Sequence, residues 1–171
     1  LFRSSDQHVG FRSVRTAEDG PRVRVDVADL ILAAGEELKV KPHIGVRTKL
    51  SGLGSGRWKD SSGDRSKFGL TTRQIVQAVE MLKKCGKLDS LVLLHYHLGS
   101  QVTNIRAFKN SLREAARTFV GLREMGAPVE YFDVGGGLGV DYDGSSTNFE
   151  SSMNYSLQEY ANDVVYHLQQ A

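Results

Sequence analysis

The chain has 171 residues, with 22 lysines and arginines against 20 aspartates and glutamates, a formal net charge of +2, and 40% hydrophobic residues. That balance gives no global electrostatic reason to expect nucleic acid or a membrane as partner, and the length suits one modest domain or part of a larger one around a small-molecule site. A single cysteine, Cys85, excludes an internal disulfide framework and fits a reducing compartment such as the cytoplasm, and no apolar run is long enough to span a bilayer.

The chain opens on leucine, which reads as part of a longer protein. Residues 1–24 are rich in arginine and serine, and Phe2, Val9, Phe11 and Val14 keep no period of 2 or 3.6, so the stretch reads as a poorly ordered, solvated segment. Its arginines could suit a nucleic-acid arm or an organelle transit peptide, a plastid one included, but Asp6, Glu18 and Asp19 dilute both readings. From Asp26, a potential N-cap, the residues Val27, Leu30, Ile31, Ala34 and Leu38 fall on one predicted helical face ending near Lys39. Pro42 bars continuation, and His43 to Leu50 reads as a strand with Ile44 and Val46 on one side and Gly45, Arg47 and Lys49 on the other.

A glycine- and serine-rich loop, 51–66, is too long for a simple connector. Thr71 or Thr72 can cap a second helix whose face is Ile75, Ala78, Val79 and Leu82 and whose stop is Gly86; Cys85, late in that pattern, reads as structural. The apolar run Leu91 to Tyr96 suits a parallel strand covered on both faces. Asn104 opens a third helix with Ile105, Phe108, Leu112, Ala115, Phe119 and Leu122 on one face, closed by Gly126. Val129 to Val134 is a third strand. Ser156 caps a last helix with Leu157, Tyr160, Ala161, Val164, Val165 and Leu168 on its predicted buried face. Helices alternating with strands call for a parallel α/β sheet, either doubly wound or part of a (β/α)8 barrel, with the chemistry at the carboxyl ends of the strands.

Those ends carry the unusual residues. At the second predicted strand end stands LHYHLGSQ, where alternation puts His95 and His97 on the same side, with Ser100 shortly after. A His-x-His pair can bind zinc, but no third ligand follows at a familiar spacing, and a buried histidine satisfied by hydrogen bonds is the plainer reading. At the next strand end, YFDVGGGLGVDYDG places Gly135, Gly136 and Gly137 where backbone N–H groups can meet an anion unobstructed, although such a triplet can also serve packing alone. Gly139 comes one residue too early for G-x-G-x-x-G, and no helix follows, which disfavours a nicotinamide site. A histidine to pack on a ring face, with a serine hydroxyl and glycine N–H groups for a phosphate, suits a flat phosphorylated ring. Arg47 could add a fixed positive charge near a phenolic oxygen of such a ring, or form an ion pair.

The stretches IGVRTKL, GSGRWKDSSGDRSKFGL, LHYHLGSQ, FDVGGGLGVDYDG and NYSLQEYAND closely resemble the biosynthetic arginine decarboxylases, within the pyridoxal-phosphate-dependent ornithine, diaminopimelate and arginine decarboxylase family. The resemblance runs from about Val25 to near the end. The histidine and triple-glycine motifs are shared across that family, whereas the loop around Trp58 and the stretch from Asn154 to Asp163 are similar to the arginine enzymes specifically.

It implies about three β/α units of an alanine-racemase-like (β/α)8 barrel. It also implies His97 stacking on the pyridoxal ring, Ser100, Gly136 and Gly137 at the phosphate, Arg47 near the cofactor, and Mg2+ as a further cofactor. The family's cofactor-anchoring lysine lies on a strand preceding the match, so Lys67, in the KFG motif, reads as structural or supporting. No residue of this chain is then certain to be catalytic, and the chain should not catalyse alone. The parent protein would decarboxylate arginine to agmatine for polyamine synthesis, as a homo-oligomer with no nucleic-acid or membrane partner. A non-catalytic relative that binds or regulates a true decarboxylase is the alternative, and a phosphate-binding domain of other chemistry a weaker one. Unpaired sheet edges and uncovered helix faces predict poor solubility or association for the piece alone.

Overall fold

The computed structural model describes residues 8–10, 23–50, 68–147, 149 and 152–171. In chain order these form β1 (His8–Gly10), α1 (Val23–Glu37), β2 (His43–Arg47), α2 (Thr72–Lys84), a 3-10 turn (Leu88–Ser90), β3 (Leu91–His95), α3 (Ile105–Glu124), β4 (Tyr131–Asp133) and α4 (Leu157–Gln169). The long loop with Trp58 and Lys67 lies outside the described residues, as does most of the stretch 1–24.

The four strands form one parallel sheet in the order β1, β2, β3, β4. Strand order that simply follows chain order, with no reversal, is the winding of a barrel and not of a doubly wound sheet. β1 is an addition to the three predicted strands: a three-residue strand is too short to show a period, and its neighbour β2 supplies the pairing that the local sequence does not advertise.

Local chemistry sets most boundaries. Thr71 caps α2 in a reciprocal box with Gln74, Asn104 accepts the Arg106 N–H at the start of α3, and Ser156 caps α4 with Glu159. Gly86 and Gly126 take left-handed φ values of 65° and 89° just past their helices. Cys85 ends α2 exposed to solvent, so its expected packing role does not hold.

α1 begins at Val23, which leaves Asp26 inside the helix instead of at its cap. Its buried residues are Ala28, Leu32 and Gly35, while Leu30 and Leu38 are exposed; the apolar run VADLILAAG surrounds the helix and cannot single out a face. α2 and α3 bury the predicted residues, with Ile105 and Phe119 only partly covered. In α4, Tyr160 and Val164 pack inward, but Leu157 and Val165 stay exposed.

α1, α2 and α3 pack over one face of the sheet, and α4 packs against α3. Ile44 and Val46 of β2 and Leu91 and Leu94 of β3 pack with Leu32, Ile75, Val79, Leu82 and Leu122, and Phe132 of β4 meets Phe119 edge-on with centroids 5.6 Å apart. A bulge at Val92 shifts the β2–β3 register between Ile44 and Gly45, which is why Leu91 and Leu94, three apart, are both buried. Among the described residues the other face carries no helix, contrary to the expected two-sided cover, and there Arg47, His95 and Asp133 stand in register across three strands. That face is the interior side in a barrel.

Tyr96, on the helix side just past β3, is fully buried with its hydroxyl lacking a hydrogen-bond partner, and burial pushes its ionisation far up. An unpaired buried hydroxyl costs about 1–3 kcal/mol. Tyr96→Phe is therefore expected to leave the urea midpoint unchanged or to raise it, and a loss above ~1 kcal/mol would mean that the hydroxyl is bonded.

Candidate functional site: a glycine turn against a histidine loop

The ends of β3 and β4 carry two loops that touch through their backbones. Gly135 and Gly137 have φ values of 69° and 98°, which side-chain-bearing residues rarely adopt. A Cβ on Gly135 would strike the carbonyl of Tyr96 and lie 3.2 Å from the Cα and Nδ1 of His97, and one on Gly137 would run into the carbonyl oxygen of Gly99. Gly136 is different, since a Cβ there would meet nothing within 4 Å. The triplet thus does two jobs. Gly135 and Gly137 let the loops close together, and Gly136 keeps the outer side bare.

The hydrogen-bond pattern of the turn is selective. Gly135 donates to Asp133 Oδ1 at 2.8 Å, Gly139 to the Tyr155 hydroxyl at 2.9 Å, and Val140 to Gln101 Oε1 at 3.0 Å. The N–H groups of Gly136 and Gly137 have no acceptor among the described residues, and Ser100, on the facing loop, makes no hydrogen bond there through its hydroxyl. Unclaimed donors at a strand end, beside a position bare of side chain, fit an anion of phosphate size.

Three residues clamp the loops, and sequence reasoning gave none of them a role at the site. Tyr155, buried, donates to the Val102 carbonyl at 2.7 Å while accepting from Gly139, so one hydroxyl joins both loops. Gln101 takes both backbone groups of Val140, with its Nε2 donating to the carbonyl at 2.7 Å. Asn154 Oδ1 accepts from Ile105 N at 3.0 Å, and its own N–H donates to the Thr103 carbonyl. Lys109 and Asp163 add a 3.3 Å ion pair between α3 and α4. These partners lie up to 53 residues apart, and no local period reveals them.

The predicted site residues stand as follows. His97 is exposed and lies against Gly135. Partial desolvation of its ring, then the charges of Arg47 and His95, hold its pKa below the usual histidine range against an opposing pull from Asp133, which favours the neutral ring. Arg47 is half-buried with its guanidinium 5.3 Å from the Phe68 ring centroid. Gly137 abuts Gly99 and Ser100. His95 does not join a metal cluster: among the described residues no group of three or more His, Cys, Asp and Glu could hold a metal ion.

Residues 19–171 match the family model of the pyridoxal-dependent decarboxylases, over its pyridoxal-binding domain. The chain belongs to this family. It is 54% identical over 142 residues to the biosynthetic arginine decarboxylase of Nostoc sp., covering 83% of this chain and 21% of that protein. Its identity to the Deinococcus radiodurans enzyme of the same name is also 54%, over 83% of this chain and 22% of that one. The crystal structure of biosynthetic arginine decarboxylase SpeA from Campylobacter jejuni superposes with a TM-score of 0.65 at 38% identity, over 88% of this chain and 22% of that one. Diaminopimelate decarboxylase from Helicobacter pylori shares the fold, with a TM-score of 0.67 at 23% identity over 85% of this chain and 35% of that one. The chain spans about a fifth of the length of the curated relatives it matches. The family assignment bears out the expected (β/α) barrel architecture and the pyridoxal cofactor class.

The glycines can be told apart by substitution. Gly137→Ala forces a side chain into the Gly99 carbonyl at a left-handed φ and is expected to cost at least ~2 kcal/mol in chemical denaturation. Gly136→Ala should stay within ~1 kcal/mol of the parent while weakening anion binding. Equal stability of the two variants would contradict the division of labour between them.

Proposed function

We propose that this chain is the cofactor-cradling part, residues 25–171, of a pyridoxal-phosphate-dependent arginine decarboxylase that converts L-arginine to agmatine and carbon dioxide. The reading is carried by the unclaimed N–H groups of Gly136 and Gly137 beside His97 and Ser100. In it, Gly135, Gly136, Gly137 and Ser100 hold the phosphate, Gly135 acting through the turn it closes. The neutral imidazole of His97 packs on the ring, and Arg47 supplies positive charge at the ring's edge. Bound there, the cofactor accepts the electron pair left when the carboxylate departs.

The substrate assignment rests on identity to proteins named biosynthetic arginine decarboxylase, and agmatine would feed polyamine synthesis. In the parent protein the partner is the small-molecule substrate, with association into a homo-oligomer. A Mg2+ requirement stays an implication of the sequence resemblance. A reducing compartment, the cytoplasm or a plastid, suits the exposed Cys85; among the described residues no helix is long and apolar enough to cross a membrane.

The second reading, a non-catalytic binding or regulatory relative, is favoured by one observation. β1, the strand that precedes α1, carries His8, Val9 and Gly10, and the first lysine anywhere in the sequence is Lys39. Within this sequence, then, the one described strand before α1 carries no lysine to act as the family's anchoring amine.

Pyridoxine 5′-phosphate tests the cradle, because without an aldehyde it cannot condense with surface lysines. It is expected to bind at least about tenfold more tightly than pyridoxine by calorimetry, in keeping with a charge-assisted phosphate site. Equal affinities would sink the cradle. Agmatine formation by the longer parent protein, compared across arginine, ornithine and diaminopimelate, tests the substrate; no turnover of arginine would favour the regulatory reading.

A further inference from the structure

The residue between the two loops is Asp133. Its Oδ1 accepts the Gly135 N–H at 2.8 Å, and its Oδ2 lies 3.0 Å from His95 Nδ1. That nitrogen is buried and makes no hydrogen bond, so the carboxylate is a close neighbour and not a hydrogen-bond acceptor for it. His95 and Asp133 are register partners at the ends of β3 and β4, and the Tyr96 N–H donates to the Asp133 carbonyl at 3.1 Å. His97 follows His95 by two residues and rests against Gly135. Among the described residues, Asp133, at the end of β4, is thus a side chain that meets both His95 at the end of β3 and the first N–H of the glycine turn.

We propose that Asp133 and His95 form a brace that positions the phosphate turn against the ring-stacking histidine, so that the turn presents Gly136 and Gly137 to the ligand and keeps Gly135 out of the contest. The proposal rests on the pyridoxal-phosphate reading of the site. Physically, the brace works by removing choices. A turn with three adjacent glycines is the most freely moving backbone that a chain can have. With the Gly135 N–H claimed by a carboxylate whose other oxygen lies against the His95 imidazole, the turn holds one shape before any ligand arrives, and the ordering cost of binding falls. Neither residue touches the ligand in this account, so both are positioning residues.

The test uses the full 171-residue chain and three variants, with folding followed by circular dichroism. Asp133→Ala removes the acceptor and is expected to weaken pyridoxine 5′-phosphate at least about tenfold while leaving the weak binding of pyridoxine unchanged. Asp133→Asn keeps an oxygen for the Gly135 N–H and should rescue affinity to within about threefold. His95→Leu keeps the volume but releases the carboxylate, and should lie between the two. It also serves if Asp133→Ala does not fold. Wild-type affinity in a folded Asp133→Ala or His95→Leu variant overturns the brace, as does an Asp133→Asn variant as weak as the alanine one.

A second readout needs no ligand. The Gly135 amide should exchange with solvent slowly in the wild type and fast in the alanine or leucine variant. Fast exchange of Gly135 in the wild type overturns the brace even if pyridoxine 5′-phosphate binds. Failure of the phosphate ligand to bind a wild type with a protected Gly135 counts against the pyridoxal reading and leaves the brace standing.

Discussion

The arrangement at the strand ends depends on a steric constraint, the approach of the glycine turn to the histidine loop at distances no side chain would allow. Gly135 sits on the Tyr96 carbonyl and Gly137 on that of Gly99. Because the two loops meet backbone to backbone, each side chain at the junction is either a clamp or is turned outward. Tyr155, Gln101 and Asp133 satisfy the N–H groups of Gly139, Val140 and Gly135. What is left over, at Gly136, Gly137 and Ser100, is a set of donors with no acceptor among the described residues. The proposed binding capacity is what remains of the hydrogen-bond accounting, since buried backbone groups are as a rule paired.

The sheet and its helices serve that junction. Sequential parallel strands with helices on one face put the ends of β2, β3 and β4 side by side, so Arg47, His95 and Asp133 share one level. The hydrophobic layer of Ile44, Val46, Leu91, Leu94, Val79, Leu82 and Leu122 fixes the strands from behind. Nearer the site, Phe108 stacks edge-on with Tyr155 and Tyr160 at 5.6 Å and 5.0 Å, so the helix pair α3 and α4 holds the clamping tyrosine in place. The stretch from Asn154 to Asp163, which resembled the arginine enzymes, thus straps the two loops and α3 together.

Much of this was legible in the sequence where physics is local. Thr71, Asn104 and Ser156 are capping residues by chemistry, and the faces of α2 and α3 follow from spacing alone. The His97 and Gly135 to Gly137 motifs stood out because strand ends in parallel sheets are where ligands bind. What stayed hidden is non-local or too short. β1 exists through its pairing with β2. The buried face of α1 was misread by about one position because Leu30, Ile31 and Leu32 are all apolar. The exposed Leu157 and Val165 of α4 keep a helical period without cover among the described residues. Asp133 drew no reading from the sequence, and only the register of β3 against β4 brings it to His95.

The central claim is that the N–H groups of Gly136 and Gly137, and not that of Gly135, are the anion donors. The direct measurement is a titration of the 15N-labelled chain with pyridoxine 5′-phosphate, following the three glycine amide resonances. The account predicts that the Gly136 and Gly137 amides shift with saturation while Gly135, held by Asp133, stays in place. Movement of Gly135 to the same extent, or no movement of any of the three on binding, would contradict it.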